Sequence, residues 1–199
     1  MSEWDFSCID WADRLKDGRT LIPNLPLDEA EADRADKIFS KLKLPDVPGN
    51  PEMREAAGPW QRDIVRNVFG SMVDGFRMVP EVFCLVPKKN SKTTGGAAIA
   101  ITWLLMNERP RAEGIYAGPT QEVAEVAFNQ TVGMIEADEY LTKRFHIAHH
   151  TKTITDRRNK AKLKVKTFDM KVVTGSKPAF VLLDELHLMS SMSDRKSVV

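Results

Sequence analysis

Residues 81–106, "EVFCLVPKKNSKTTGGAAIAITWLLM", constrain the fold more than any other part of the chain. The apolar run "EVFCLV" (81–86) reads as a buried strand, with Cys84 as a small core residue. It passes into a loop carrying Lys88, Lys89 and Lys92, and then into a helix whose first turns are built of small residues. The stretch "AAIAITWLLM" (97–106) is too short to cross a bilayer, so it reads as a core helix and not a membrane span. The remaining sequence keeps the same alternation. "GIYAG" (114–118) is a short strand, and "PTQEVAEVAFNQTVGMIEAD" is a helix opened by Pro119 and Thr120. "KTITDRRNKAKLKVKTF" reads as two strands around a turn at Asp156–Asn159. "AFVLLDELHLM" begins as a buried strand and ends in two acids. This order of elements predicts an α/β fold, a largely parallel sheet with flanking helices.

Upstream, Asp28 caps a helix that runs to about Leu42, with Ala35, Ile38, Phe39 and Leu42 on one face. "LPDVPGNPEM" (44–53) is a loop. A second amphipathic helix starts near Trp60, turns Ile64, Val65, Val68 and Phe69 inward, and stops at Gly70. The N-terminus "MSEWDFSCIDWADR" is acidic and has no apolar stretch, so it does not read as a signal peptide. The two cysteines, Cys8 and Cys84, are too far apart in sequence for a disulfide framework or a zinc spacing, and a reducing compartment is expected. The net charge of +1 says nothing about partners, but its distribution is uneven. From Lys143 to Lys177 there are eleven Lys and Arg against two acids, Asp156 and Asp169.

The loop "VPKKNSKTT" (86–94) raises the question of function. Phosphate-binding loops follow G-x-x-x-x-G-K-[ST]. Lys92 and Thr93 hold the last two places, but Val86 and Ser91 stand where the glycines should be. A loop between a strand and a helix N-terminus still has unpaired N–H groups and a partial positive charge to offer an anion. Lys92 can reach the β and γ phosphates of a nucleotide, and the Thr93 hydroxyl can ligate Mg²⁺ with Thr94 beside it. Lys88 and Lys89 add cationic reach around Asn90 and Ser91. The competing reading is a cationic turn before an ordinary helix.

"FVLLDE" (180–185) shifts the balance. Asp184 and Glu185 follow a strand, and in phosphate-loop ATPases the first acid helps hold Mg²⁺ while the second polarises the attacking water. Both acids would then stand at the carboxyl edge of the sheet, where open α/β sheets bind ligands. "GPWQRDIVRNVFG" (58–70) adds Trp60 and Gln61, a ring and an amide that can contact adenine; a helix start with a core tryptophan is the alternative.

Taken together, "GPWQRDIVRNVFG", "VPKKNSKTTGGAAIAI", "YAGPTQEVAEVAFNQ" and "GSKPAFVLLDELHLM" resemble the large terminase subunit of tailed bacteriophages. The resemblance runs from about Trp11 to about Met189. It extends to the variant loop, since members carry a basic residue four places before the lysine, where Lys88 stands, and often a "KNGK" core, in which Ser91 replaces the glycine. It implies an ASCE-type P-loop NTPase fold, ATP and Mg²⁺ as cofactors, and a motor that packages double-stranded DNA into procapsids. Carried over, Lys88 senses or stabilises the γ-phosphate, Lys92 and Thr93 hold phosphate and Mg²⁺, Asp184 serves Mg²⁺, Glu185 activates water, and Gln61 contacts adenine. It further implies a homo-oligomeric ring with a basic residue acting across subunits, the portal protein and the small terminase subunit as partners, and the host cytoplasm as the place of action. Arg144, Arg157 and Arg158 are candidates for the residue that acts across subunits.

On this reading residues 1–57 are an N-terminal arm and helix, residues 58–193 are part of the ATPase domain, and residues 194–199 are a non-native tail. The strand ending in Asp184 is expected near the sheet centre, beside the loop strand. A fragment that binds nucleotide or partners without turnover, or a helicase-like ATPase on another nucleic acid, are the rival functions. His146, His149 and His150 read as polar or strand-edge histidines and not as metal ligands. Lys160, Lys162, Lys164 and Lys166 share one strand face, where they can track DNA phosphates, meet an acidic neighbour, or simply be solvated.

Overall fold

A computed structural model describes residues 8–22, 25–87, 89–169 and 177–189. The chain divides into two compact units, residues 1–41 with 53–85 and residues 42–52 with 86–199.

The first unit is mainly helical. It contains α1 (Trp11–Lys16), α2 (Glu29–Lys41), α3 (Met53–Ala56) and α4 (Pro59–Gly70). Asp28 caps α2 as expected, its carboxylate accepting from the Glu31 N–H at 3.1 Å. Helices α2 and α4 pack along Ala32, Ala35, Phe39, Val65 and Phe69, all buried. Gly70 ends α4 where any side chain would collide with Ala32. Arg62 and Arg66 on α4 reach across to Asp36 and Glu29 on α2. A small hairpin follows, β1 (Met72–Val73) with β2 (Phe76–Arg77). Its turn is Asp74–Gly75, both with positive φ (51° and 80°), the conformation an Asp-Gly pair favours in a two-residue hairpin loop.

The second unit is built around a five-stranded sheet. Its elements are α5 (Lys92–Met106), β3 (Glu113–Gly118), α6 (Gln121–Glu136), α7 (Glu139–Arg144), β4 (Phe145–Ala148), a 3-10 turn at His149–Thr151, β5 (Thr153–Asp156), β6 (Lys162–Thr167) and β7 (Phe180–Leu183). The strand order is β4-β5-β6-β3-β7. Strands β6, β3 and β7 run parallel, while β4 and β5 add antiparallel strands at one side. Thr120 caps α6 by accepting from the Val123 N–H. Helices α5 and α6 pack on each other and on the sheet. Gly114 and Gly118 on β3 lie under them, since a Cβ at Gly114 would strike Trp103 of α5 and one at Gly118 would strike the Ala124 backbone of α6. Trp103 also stacks on Phe180 of β7, with ring centroids 5.1 Å apart. The opposite face carries Lys162, Lys164 and Lys166, in register with Glu113, Ile115 and Ala117, and Lys164 pairs with Glu113 at 2.7 Å.

Three expectations are corrected. Residues 81–86 form no strand, and Val82, Phe83, Cys84 and Leu85 are exposed. An apolar, β-prone run becomes a strand only when another strand completes its ladder and covers its side chains; among the described residues this run has no such ladder. Strand β7 is only partly buried, with Val181 and Leu183 exposed. Its described neighbour is β3 alone, which puts it at the end of the strand order and not beside a loop strand.

Candidate functional site

Strand β3 is buried almost throughout, and its parallel pairing with β7 delivers Asp184 directly past the sheet edge. The Asp184 N–H still bonds to the Ala117 carbonyl at 2.9 Å, so the ladder holds the backbone up to the acid. The next residue, Glu185, turns sharply with φ at 52°. The chain then enters a helical turn at 186–189, closed by the Leu188 N–H on the Glu185 carbonyl.

The loop before α5 arrives at the same place. Lys89 and Ser91 both have positive φ, 68° and 50°, on either side of Asn90. Ser91 is in the left-handed region (ψ 36°) that glycine enters freely and other residues enter at a cost. Thus the position that carries the second glycine in the common pattern keeps the glycine conformation here without the glycine. A left-handed Ser91 directly before the right-handed first turn of α5 is a backbone pairing that can present N–H groups to an anion. The Asn90 side chain braces the loop by donating to the Pro87 carbonyl at 3.1 Å.

Two contacts join the halves. The Thr93 hydroxyl donates to Asp184 Oδ2 at 2.8 Å, between residues 91 positions apart. The Lys92 ammonium sits 3.4 Å from Glu185 Oε1, with both side chains about a quarter exposed (27% and 24%). On the other side His187 Nδ1 lies 3.4 Å from Glu185 Oε2. Beneath them Tyr116 of β3 is fully buried, its hydroxyl 3.3 Å from Asp184 Oδ2 and 3.3 Å from the Thr93 carbonyl. Burial drives the Tyr116 hydroxyl far above its ordinary pKa, and the neighbouring Asp184 charge adds to the effect. Tyr116 therefore keeps its proton and its hydroxyl donates hydrogen bonds.

The structure thus gathers Lys92, Thr93, Asp184 and Glu185 in one cluster, with Thr94 half-buried in the same helical turn and Lys89, Asn90 and Ser91 exposed in the loop. Lys88 lies outside the described residues, as do residues 194–199. Trp60 and Gln61 open α4 in the first unit, where Gln61 is buried and the Trp60 indole covers Gly58. Tyr116 was given no role by the sequence reading. The signal for it is a lone phenol inside a small-residue strand, where a buried hydroxyl needs a partner. Of the arginine candidates, Arg144 is engaged with Asp156, while Arg157 and Arg158 are exposed. His146, His149 and His150 are at or near the surface, His149 edge-on to Phe128.

Chemically, the cluster offers a lysine for phosphate, a hydroxyl and a carboxylate whose hard oxygens suit a small divalent cation, and a second carboxylate able to polarise water. No helix among the described residues is long and apolar enough to cross a membrane.

Comparison with known proteins agrees with this architecture. A family model described as the terminase large subunit, ATPase domain, matches residues 59–197. The chain is similar to the crystal structure of the HK97 bacteriophage large terminase, with a TM-score of 0.64 and 19% identity over 82% of this chain. The match spans 35% of that structure's length. At this identity the likeness speaks for the fold alone, an α/β architecture with a sheet flanked by helices. No curated protein matches.

Proposed function

From the premise that the chain belongs to the terminase large subunit ATPase-domain family, we propose that it is the ATP-hydrolysing part of a motor that drives double-stranded DNA into procapsids. The observation that carries the reading is the 2.8 Å bond between Thr93 and Asp184, which brings the lysine loop and the acidic strand end into one site. In this reading Lys92 binds the β and γ phosphates, and Lys88, Lys89, Asn90, Ser91 and Thr94 complete the cradle. Thr93 and Asp184 hold Mg²⁺, a hard ion that matches their oxygen donors. When bound, Mg²⁺ supplies charge neutralisation on the phosphate oxygens.

The chain's own groups do the remaining work. The Lys92–Glu185 contact is long and accessible, so a phosphate can take Lys92 over. Glu185 is then free to orient a water and accept its proton. The adenine roles of Trp60 and Gln61 and the γ-phosphate role of Lys88 belong to the same reading. So do action in the host cytoplasm, a homo-oligomeric ring, and portal protein and small terminase subunit as partners.

Nucleotide binding and steady-state hydrolysis by the purified protein and two variants test the reading. Glu185→Gln should keep nucleotide affinity and lower hydrolysis by on the order of a hundredfold or more. Lys92→Ala should lose affinity by about tenfold or more. Unchanged turnover in both variants would refute the site, and equal loss of binding and hydrolysis in Glu185→Gln would make Glu185 structural.

A further inference from the structure

Tyr116 stands out among the groups that the proposed chemistry leaves unused. Its ring is fixed on every side that matters here. It lies on β3 in register with Leu182 of β7, two residues before Asp184. On α5, Gly96 leaves the space the phenol needs, because a Cβ there would come within 2.8 Å of the hydroxyl and 3.3 Å of the ring carbon that bears it. A phenol locked in this way points its hydroxyl at two acceptors, Asp184 Oδ2 and the Thr93 carbonyl, each at 3.3 Å. The carboxylate is charged and is the stronger acceptor. Asp184 Oδ2 thus receives two hydroxyl donors, Thr93 from above and Tyr116 from below. Two donors on one oxygen set the rotation of the carboxylate.

We infer that Tyr116 is a positioning residue, whose hydroxyl orients Asp184 and links the first turn of α5 to the end of β7 so that Thr93 and Asp184 meet a divalent cation as one preset pair. The inference rests on the nucleotide-site reading above. Tyr116 is fully buried, and its hydroxyl faces only protein oxygens among the described residues. It acts through Asp184, and its removal affects cation affinity before it affects phosphate binding by Lys92.

The test is titration of a fluorescent ADP analogue into the purified protein, once in EDTA and once across a Mg²⁺ series. The wild type should bind in EDTA and bind more tightly as Mg²⁺ is added. Tyr116→Phe keeps the ring and removes only the hydroxyl. It should leave the EDTA affinity unchanged and raise the Mg²⁺ concentration for half-maximal tightening by about tenfold, the scale of a hydrogen bond to a charged group. Gly96→Ala, which pushes the phenol off its place, should shift the Mg²⁺ midpoint the same way while the hydroxyl is still present. A Mg²⁺ midpoint unchanged in Tyr116→Phe overturns the inference, and so does an equal loss of affinity in both arms, which would mark a merely structural tyrosine. A wild type that binds the analogue in neither arm overturns the nucleotide-site reading itself, and the inference with it.

Discussion

Two ion pairs in the second unit are built in opposite ways. Arg144 holds Asp156 through two nitrogens, Nε at 3.0 Å and Nη2 at 2.8 Å. Asp156 is fully buried, and it also accepts from the Arg158 N–H and so closes the β5–β6 turn. Burial works against the Arg144 charge, but the hydrogen bonds to Asp156 and Tyr140 outweigh it and raise the Arg144 pKa. Lys92 and Glu185, by contrast, meet through one contact at 3.4 Å and stay open to water. The first pair is largely buried and held by several hydrogen bonds. The second is loose, so a ligand can replace either partner. The same charge chemistry is sealed in one place and open to solvent in the other, and burial makes the difference.

The largest effect should come from breaking the sealed pair. Asp156→Ala leaves a half-buried guanidinium without its acid and should cost about 3–5 kcal/mol in chemical denaturation. Lys92→Ala, measured in the same way, should stay within about 1 kcal/mol of wild type, because it removes only an accessible pair. Similar losses for the two variants would erase the contrast.

A smaller effect concerns the loop. Ser91→Gly relieves a left-handed serine and should stabilise the protein by about 1 kcal/mol, with nucleotide affinity equal or higher. A marked drop in affinity would show that the serine side chain itself binds the ligand.

The smallest concerns the first unit. The hydrogen bond from Arg62 is the main cause that lowers the Asp36 pKa below its ordinary 3.8. A depressed carboxylate contributes stability that is complete above its unfolded pKa and is lost as pH falls through the folded value. Wild type should therefore lose stability relative to Asp36→Asn only below about pH 4, by no more than about 1 kcal/mol for so exposed an arginine. A difference between the two that does not change across that window would assign the effect to packing.

Much of the fold was legible because local rules carry it. Asp28 and Thr120 are side-chain caps, and both start the helices they should. Alternation in "KLKVKT" separates Leu163 and Val165 from the lysines with no reference to the rest of the chain. The Asp74–Gly75 hairpin was readable from its dipeptide and was missed. Where the reading failed, the property was not local. Residues 81–86 have every intrinsic trait of a buried strand, yet burial and pairing come from neighbours. The same limit applies to Cys84 and to β7, which turns Phe180 and Leu182 toward α5 and leaves Val181 and Leu183 exposed on the other face.

For the candidate site, residue types and order along the chain already named Lys92, Thr93, Asp184 and Glu185, because phosphate and metal chemistry demands particular side chains at particular element ends. Sequence could not say which oxygen meets which hydroxyl, nor that Tyr116 lies beneath them. Those facts depend on the parallel register that sets Tyr116 opposite Leu182, and on Gly96 opening α5 to the phenol. Chemical identity is a property of the chain, whereas a hydrogen bond between residues 93 and 184 exists only once the sheet and helix have fixed their distance.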